Sequence, residues 1–122
     1  LKDIFDAIGF TRYEITSPKH HDELIAYTSQ LAHVASNAYI KSPTASEHQG
    51  FSAGSFRDMT RVAYLNETMW TELFMLNRDS LIYELDLYIS NLQEYSDALH
   101  RGDEQTLKRL LKEGRERKSQ LS

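Results

Sequence analysis

The sequence has no cysteine, so disulfide bonds and thiolate metal sites are excluded, and a reducing compartment is the expected environment. It has no apolar run near the roughly 20 residues that a membrane-spanning helix needs, and no signal peptide at its start. We therefore expect a cytoplasmic protein without a membrane segment. With 122 residues, the chain is long enough for one hydrophobic core.

Positive charge is scarce over most of the chain. Residues 1–100 carry 7 Lys and Arg against 14 Asp and Glu, whereas residues 101–122 carry 7 against 4. The basic residues of the tail alternate with acidic and apolar ones, as in "KRLLKEGRERK". This pattern is typical of a solvated helix face, so we predict no nucleic-acid partner.

The first 18 residues differ in pattern from the rest. "LKDIFDAIGF" indicates a short helix that ends at Gly9, and "RYEIT" is the only stretch that reads as a strand. A single strand cannot bury itself and needs a sheet from elsewhere. The chain also begins at Leu1 without an initiator Met. We therefore expect residues 1–18 to be the tail end of a domain that is otherwise missing.

Residues 19–122 are helical in pattern, which predicts an all-α fold, a helical bundle. A first helix is expected from Lys19 to Ile40 and, after a loop, a short one over 55–65. A third should follow Asn66 as its N-cap, a long one should follow Asn77 and end at Gly102, and a last one should be capped by Asp103. The expected inner face of the third helix is Met69, Leu73 and Leu76. The long helix should be central and buried on more than one side, given its apolar positions Leu81, Ile82, Leu85, Tyr88, Ile89, Leu92, Tyr95 and Leu99.

The first helix is notable for the charge that it lacks. Its 17 residues 24–40 include no Asp, Glu, Lys or Arg, where about a quarter of residues are usually charged. One face nevertheless carries a stripe of small and polar residues at steps of three and four: Asp22, Ala26, Ser29, Gln30, His33 and Asn37. The stripe fits a ligand-binding face. An uncharged solvent face and a helix packed inside a dimer are the alternatives.

A second candidate site is the segment "AGSFRDMTRVA". It places Arg57, Asp58 and Arg61 within about one helical turn, after a glycine-containing loop. Two guanidiniums beside one carboxylate can leave one guanidinium free to bind an anion in a bidentate manner. A surface ion-pair cluster is the alternative. No metal site is expected from His20, His21 and Asp22, because no further ligand follows at a useful spacing.

Four motifs in order resemble the prephenate dehydrogenase family. They are "HDELIAYTSQLAHVASNAY", "GSFRDMTRVA", "NETMW" and "LNRDSLI", and the resemblance covers about residues 19–117. The family has a His-Asp pair, then Ser-His-Leu-Pro-His, then a glycine-rich turn before Phe-Arg/Lys-Asp-x-Thr-Arg, then Met-Trp. The resemblance implies that residues 19–122 are the helical C-terminal domain of that family, which forms homodimers and binds substrate.

The resemblance also implies roles for individual residues. Arg61 matches the arginine that binds a prephenate carboxylate. Asp58 matches the acidic residue that orders this arginine. The other matching positions line the pocket or its mouth: Ser29, His33, Gly54 and Trp70. Gln30 and Ala32 depart from the His and Pro of Ser-His-Leu-Pro-His. Gln30 is counted among the expected substrate-binding residues and leaves the choice between prephenate and arogenate open. Without that Pro, the first helix should be more regular.

The reaction that the resemblance implies is the NAD-dependent oxidative decarboxylation of prephenate to 4-hydroxyphenylpyruvate, in tyrosine biosynthesis, with tyrosine as a possible inhibitor. The family's catalytic His and its NAD-binding loop belong to the N-terminal domain, so no catalytic or cofactor-binding residue is expected in this chain. The chain by itself should be inactive. The alternatives are an arogenate dehydrogenase domain and a non-catalytic dimerisation or effector-binding module. A helical chorismate mutase is disfavoured because too few cations are available for a dicarboxylate.

Overall fold

The computed structural model describes residues 17–47 and 54–121. Within these ranges every regular element is a helix, which confirms the all-α prediction. The expected N-terminal helix and the strand at "RYEIT" lie outside the described residues, and so does most of the proposed 1–18 remnant. The chain divides into two compact units, one ending at Glu84 and the other covering Leu85–Ser122.

The helices follow one another in the order that the sequence predicts. The first predicted helix consists of α1 (Pro18–Ile25), a π-helical turn (Ala26–Gln30) and α2 (Leu31–Tyr39). A short 3₁₀ turn covers Pro43–Glu47. The remaining helices are α3 (Gly54–Thr60), α4 (Glu67–Leu76), α5 (Arg78–Arg101) and α6 (Glu104–Leu121).

Side-chain caps set the starts of α1 and α4. The Ser17 side chain accepts a hydrogen bond from the His20 backbone N–H at 3.1 Å, and Pro18 occupies the first turn, where its missing N–H has no cost. Asn66 accepts from the Met69 N–H at 2.8 Å, which confirms the predicted cap. α3 ends at Thr60, five residues before the predicted end, because the chain turns there towards the cap at Asn66.

The first helix contains a π turn although it lacks the family's proline. The Leu31 N–H bonds to the Ala26 carbonyl, five residues back, which gives the π turn at Ala26–Gln30. A π turn inserts one residue into the helical path, is rare, and is frequently found at functional sites. The absence of proline therefore does not make the helix uniform, and whether it is more regular than with the proline stays a prediction.

The inner face of α4 is also different from the prediction. Met69, Leu73 and Leu76 are exposed, at 49%, 39% and 84% of their surface. The more buried positions form a neighbouring stripe that runs from α4 into α5 at steps of four, three and four: Trp70, Phe74, Asn77 and Leu81. The polar Asn77 interrupts this stripe in the sequence, so counting apolar residues selects the wrong face.

The second unit is a helical hairpin formed by α5 from Leu85 onwards and by α6. Gly102 adopts a positive φ of 65°, its N–H bonds to the Leu99 carbonyl, and the Asp103 N–H bonds to the Ala98 carbonyl. These two bonds form a Schellman motif, which ends α5 at the predicted glycine. Asp103 then caps α6, as predicted, by accepting from the Thr106 N–H at 3.0 Å. Leu110 is the buried leucine of α6, whereas Leu111 is exposed.

The long helix α5 is not buried on several sides. Leu81 and Ala98 are buried, but the apolar side chains with 45% or more of their surface exposed are Ile82, Tyr83, Leu87, Ile89, Leu92 and Leu99. The prediction of a central helix was wrong for the single chain because the other helices are too few to cover it. Among the described residues, none of the helices combines the length and the apolarity needed to cross a membrane.

We expect the same substitution at two glycines to have opposite effects on stability. A Cβ at either Gly102 or Gly114 would meet no atom within 4 Å. Gly114 lies inside α6, so Gly114→Ala should stabilise the folded chain by about 0.5–1 kcal/mol. Gly102→Ala should destabilise it by about 1–2 kcal/mol, because alanine resists a positive φ. Urea unfolding of both variants tests this, and a shift of the same sign in both would contradict it.

The cap of α6 should respond to acid. Hydrogen bonds from the Thr106 hydroxyl and backbone, with a smaller contribution from Arg101, lower the pKa of Asp103 from 3.8 to about 2. Because the folded pKa is depressed, the stabilisation is present above pH 3.8 and is lost as the pH falls towards 2. Carboxyl ¹³C titration by NMR should give a higher Asp103 pKa in Thr106→Val, which removes the hydroxyl donor at 2.6 Å. An unchanged pKa in that variant would contradict the assigned cause.

Candidate functional site

His33 and Trp70 form the centre of the candidate site in the first unit. Their rings stack with centroids 4.0 Å apart and an angle of 24° between the planes, and Trp70 also contacts Phe74 at 5.6 Å. His33 Nδ1 lies 2.8 Å from the Ser29 carbonyl oxygen and donates to it. In the neutral ring, Nε2 then carries the lone pair. His33 therefore presents one acceptor nitrogen in a fixed orientation.

Gln30 lies next to Ser29 but its side chain points into the unit. Only 5% of its surface is exposed. Its Nε2 donates to the Leu73 carbonyl of α4 at 3.2 Å, and its Oε1 accepts from Asn77 Nδ2 at 2.8 Å. The Gln30 amide thus connects the end of the π turn with the end of α4.

Asn77 completes this connection at the junction of α4 and α5. The second hydrogen of its Nδ2 is donated to the Asp22 carbonyl of α1 at 2.9 Å. Its backbone N–H bonds to the Phe74 carbonyl and its own carbonyl accepts from the Leu81 N–H. We call the side-chain hydrogen bonds of Gln30 and Asn77 the amide bridge. It ties α1, the π turn and the α4–α5 junction together.

Arg61 lies in the turn after α3. α3 packs against α2, and the turn is attached to α2 because Asn37 Nδ2 donates to the Ala63 carbonyl at 3.0 Å. A further bond runs from the Ala63 N–H to the Thr60 carbonyl. Arg61 itself is exposed. The backbone on its C-terminal side is therefore fixed to the same helix that carries His33.

The other charged residues of this segment do not form an ion-pair cluster. Arg57 and Asp58 are exposed like Arg61, and among the described residues none of the three makes a salt bridge. The surface ion-pair alternative is therefore not realised in this structure. Gly54 is exposed at the start of α3, with open space where a Cβ would be. Neither of these findings assigns a ligand.

The polar stripe of the first helix is mostly occupied by internal contacts. Ala26 and Gln30 are buried, His33 stacks on Trp70, and Asn37 bonds to the Ala63 carbonyl. It is therefore not an uncharged solvent face. Ser29, Gln30, His33 and Trp70 are brought close together by these contacts. Among the described residues, no salt bridge, ring contact or side-chain hydrogen bond joins Arg61, Asp58 or Gly54 to that group.

Two further residues of the first unit have contacts or burial that bear on the site. The sequence predicts Asn77 only as a helix boundary, although it donates two long-range hydrogen bonds. Ser36 lies on the helical face of Ser29 and His33, at spacings of seven and three, and its hydroxyl is buried without a hydrogen-bond partner in the part of the chain that the structure describes. An unsatisfied buried hydroxyl costs about 1–3 kcal/mol. The helical spacing of Ser36 from Ser29 and His33 could have indicated that it shares their face. No feature of the sequence indicates the long-range hydrogen bonds of Asn77.

The histidines at the start of α1 make only weak contacts. His20 Nδ1 lies 3.4 Å from Glu23 and His21 Nδ1 lies 3.8 Å from Asp22, and all four side chains are exposed. Exposed pairs of this kind contribute little. Within residues 17–47 and 54–121, His, Asp and Glu form no group of three that could hold a metal ion.

The second unit contains a separate open groove of about 430 Å³ between α5 and α6. Its lining is mostly polar and includes Glu94, Tyr95, Glu113 and Arg117. None of the candidate residues from the sequence lines it.

Comparison with known proteins gives the family. The model of the prephenate dehydrogenase dimerization domain matches residues 17–113. The chain is 33% identical over 105 residues to a cyclohexadienyl dehydrogenase of Zymomonas mobilis, with 81% of this chain and 36% of that protein covered. It is 27% identical over 101 residues to a prephenate dehydrogenase of Bacillus subtilis, covering 79% and 27%. The chain thus spans about a third or less of these two relatives.

Two solved structures share the fold. The arogenate dehydrogenase of Synechocystis aligns with a TM-score of 0.78 at 23% identity, covering 99% of this chain and 46% of that one. The prephenate dehydrogenase of A. aeolicus, solved with hydroxyphenyl propionate and NAD+, aligns with a TM-score of 0.73 at 24% identity, covering 89% and 40%. Since the matched family model extends over most of the described residues, the chain belongs to the prephenate dehydrogenase family and contains its dimerization domain.

Proposed function

We propose that this chain is the substrate-binding and dimerisation part of an NAD-dependent prephenate dehydrogenase. The observation that carries the proposal is the His33–Trp70 stack next to Ser29, on the helix that also anchors the turn after Arg61. The family resemblance implies that Ser29 and His33 line the substrate pocket and that Trp70 lies near its mouth. A stacked aromatic pair with one free acceptor nitrogen suits a ring substrate that carries a hydroxyl group.

Arg61 is proposed to bind a carboxylate of the substrate. It is exposed and has no ion-pair partner among the described residues, so its guanidinium is available to an anion. A guanidinium binds a carboxylate through two parallel hydrogen bonds, a geometry that lysine cannot reproduce. Asp58, three residues earlier on α3, is proposed to order Arg61 once substrate or a second subunit is present. Gly54 and Trp70 are proposed to border the pocket.

NAD+ and the catalytic base are proposed to belong to the part of the protein that precedes residues 19–122, with residues 1–18 as the end of that domain. Hydride transfer needs a nicotinamide held against the ring, and the hydroxyl proton needs a base within hydrogen-bond distance. Prephenate and arogenate differ at one substituent, a keto group or an ammonium group. The relatives include dehydrogenases named for each substrate, so both should be assayed. The protein is proposed to act in the cytoplasm.

We expect the chain to form a homodimer through the exposed apolar side chains of α5. Sedimentation equilibrium at micromolar concentration should give twice the chain mass of 14.1 kDa. Ile89→Glu should weaken the dimer at least about tenfold, because an unpaired carboxylate would be buried in the interface. Ser90→Glu is the matched control, since the neighbouring position is rotated by about 100° on the helix. A 14.1 kDa monomer over the whole range would contradict the proposal.

We expect Arg61 and Arg57 to differ sharply in a full-length dehydrogenase that carries this chain. Arg61→Ala should raise KM and lower kcat/KM by about thirty- to a thousandfold, which corresponds to about 2–4 kcal/mol of lost charged hydrogen bonding. Arg57→Ala is the control, because Arg57 is also exposed and makes no salt bridge among the described residues. NADH formation with prephenate and with arogenate is the measurement, and the 122-residue chain alone should form none.

The outcome separates a substrate site from a surface patch. Small and equal effects of the two substitutions would mean that "FRDMTR" is an exposed basic segment, and the proposed carboxylate contact would be withdrawn. NADH formation by the chain alone would overturn the assignment of NAD+ and the base to the preceding domain.

A further inference from the structure

We infer that Gln30 is a positioning residue, which acts through Asn77 to hold His33 and Trp70 in their stack, and does not itself contact the substrate. The functional part of this inference rests on the proposed function, whereas its structural part does not. The sequence motifs placed Gln30 among the substrate-binding residues. Its burial and its hydrogen bonds support a different role.

The burial of Gln30 removes it from ligand reach. With 5% of its surface exposed, the side chain has no face open to a substrate. One amide hydrogen is donated to the Leu73 carbonyl, and the carbonyl oxygen accepts from Asn77. Both ends of the amide are therefore used inside the unit.

The bridge fixes both partners of the stack at once. On one side, Gln30 follows Ser29 directly, and the Ser29 carbonyl is the group to which His33 Nδ1 donates. On the other side, Gln30 bonds to Leu73, which lies one turn beyond Trp70 on α4. A shift of the Ser29 carbonyl or of the Leu73 backbone would displace one of the two rings relative to the other.

The π turn explains why such a bridge is needed. Ala26–Gln30 contains one residue more than an α-helical turn would use, and Gln30 is its last residue. Relaxation to α geometry would rotate the preceding and following segments by about 100° relative to each other. Asn77 bonds to Asp22 before the turn and to Gln30 at its end, so it spans the widened turn. The bridge therefore fixes the rotation at which Ser29 and His33 are presented.

The first test is spectroscopic and uses this chain. Since Trp70 is the single tryptophan, the His33 ring protons should be shifted upfield by its ring current, and Trp70→Leu gives the reference position. Asn77→Asp keeps the size and the helix-cap preference of the side chain but removes both donated hydrogens. We expect the upfield shift to be lost in Asn77→Asp and in Gln30→Met.

The matched control is Asn37→Asp, the same substitution on the same helix as His33. It removes the bond to the Ala63 carbonyl and should lower stability while leaving the His33 shift in place. An unchanged shift in Gln30→Met or Asn77→Asp would overturn the inference. So would an equal loss in Asn37→Asp, since the effect would then be general loosening. If Gln30→Met does not fold, Asn77→Asp decides.

The second test uses the full-length dehydrogenase. If Gln30 acts through Asn77, Gln30→Met and Asn77→Asp should lower kcat/KM to a similar extent, by up to about a hundredfold. The double variant should be no worse than either single one, because both break the same bridge. A large effect of Gln30→Met alone, with Asn77→Asp unaffected, would mean that Gln30 contacts the substrate. If the His33 shifts change as expected but Arg61→Ala leaves kcat/KM unchanged, the proposed function is contradicted and the positioning role of Gln30 is not.

Discussion

The hydrogen bond between Gln30 Oε1 and Asn77 Nδ2 is the interaction on which the first unit depends. It joins positions 47 residues apart, and the bonds to Leu73 and Asp22 extend it to three helical segments. Each such bond adds only about 0.5–1.5 kcal/mol net, but a buried amide that loses its partner costs about 1–3 kcal/mol. Helix placements that leave one of these amides without a partner therefore lose more free energy than the hydrogen bonds themselves contribute to stability. A polar interior of this kind specifies one relative placement of the helices.

The local parts of the fold followed from the sequence. Asn66 and Asp103 were identified as helix caps, and Gly102 as the end of the long helix, because each of these signals acts on the backbone within a few residues. The π turn and the inner face of α4 did not follow. Both depend on Asn77, whose two side-chain bonds reach across the unit and leave no periodic signal. An apolar stripe interrupted by an essential asparagine is indistinguishable, in sequence, from a solvent face.

For the candidate site, the sequence motifs name the residues but do not give their arrangement in space. Ser29, His33 and Trp70 lie together because the His33 ring donates to the Ser29 carbonyl and stacks on Trp70 of α4. Gln30 was expected to bind substrate, and its side chain is buried and hydrogen-bonded to Leu73 and Asn77, which residue type alone does not reveal. Arg61, Asp58 and Gly54 are exposed on α3 and the turn after it. Among the described residues, no salt bridge or hydrogen bond of their side chains ties them to the His33–Trp70 stack, so the sequence motifs are the basis for grouping them with it.

The π turn also determines where the chain tolerates a change in length. Residues 26–30 already contain one residue more than an α-helical path requires, so loss of one residue there can be absorbed by closing the turn to α geometry. Loss of one residue within α2 would instead rotate every later side chain of that helix by about 100° and turn His33 away from Trp70. Insertions and deletions among related chains should therefore accumulate at this turn. In a sequence alignment, a gap at any other position of the first helix would pair residues that lie on different faces of the helix.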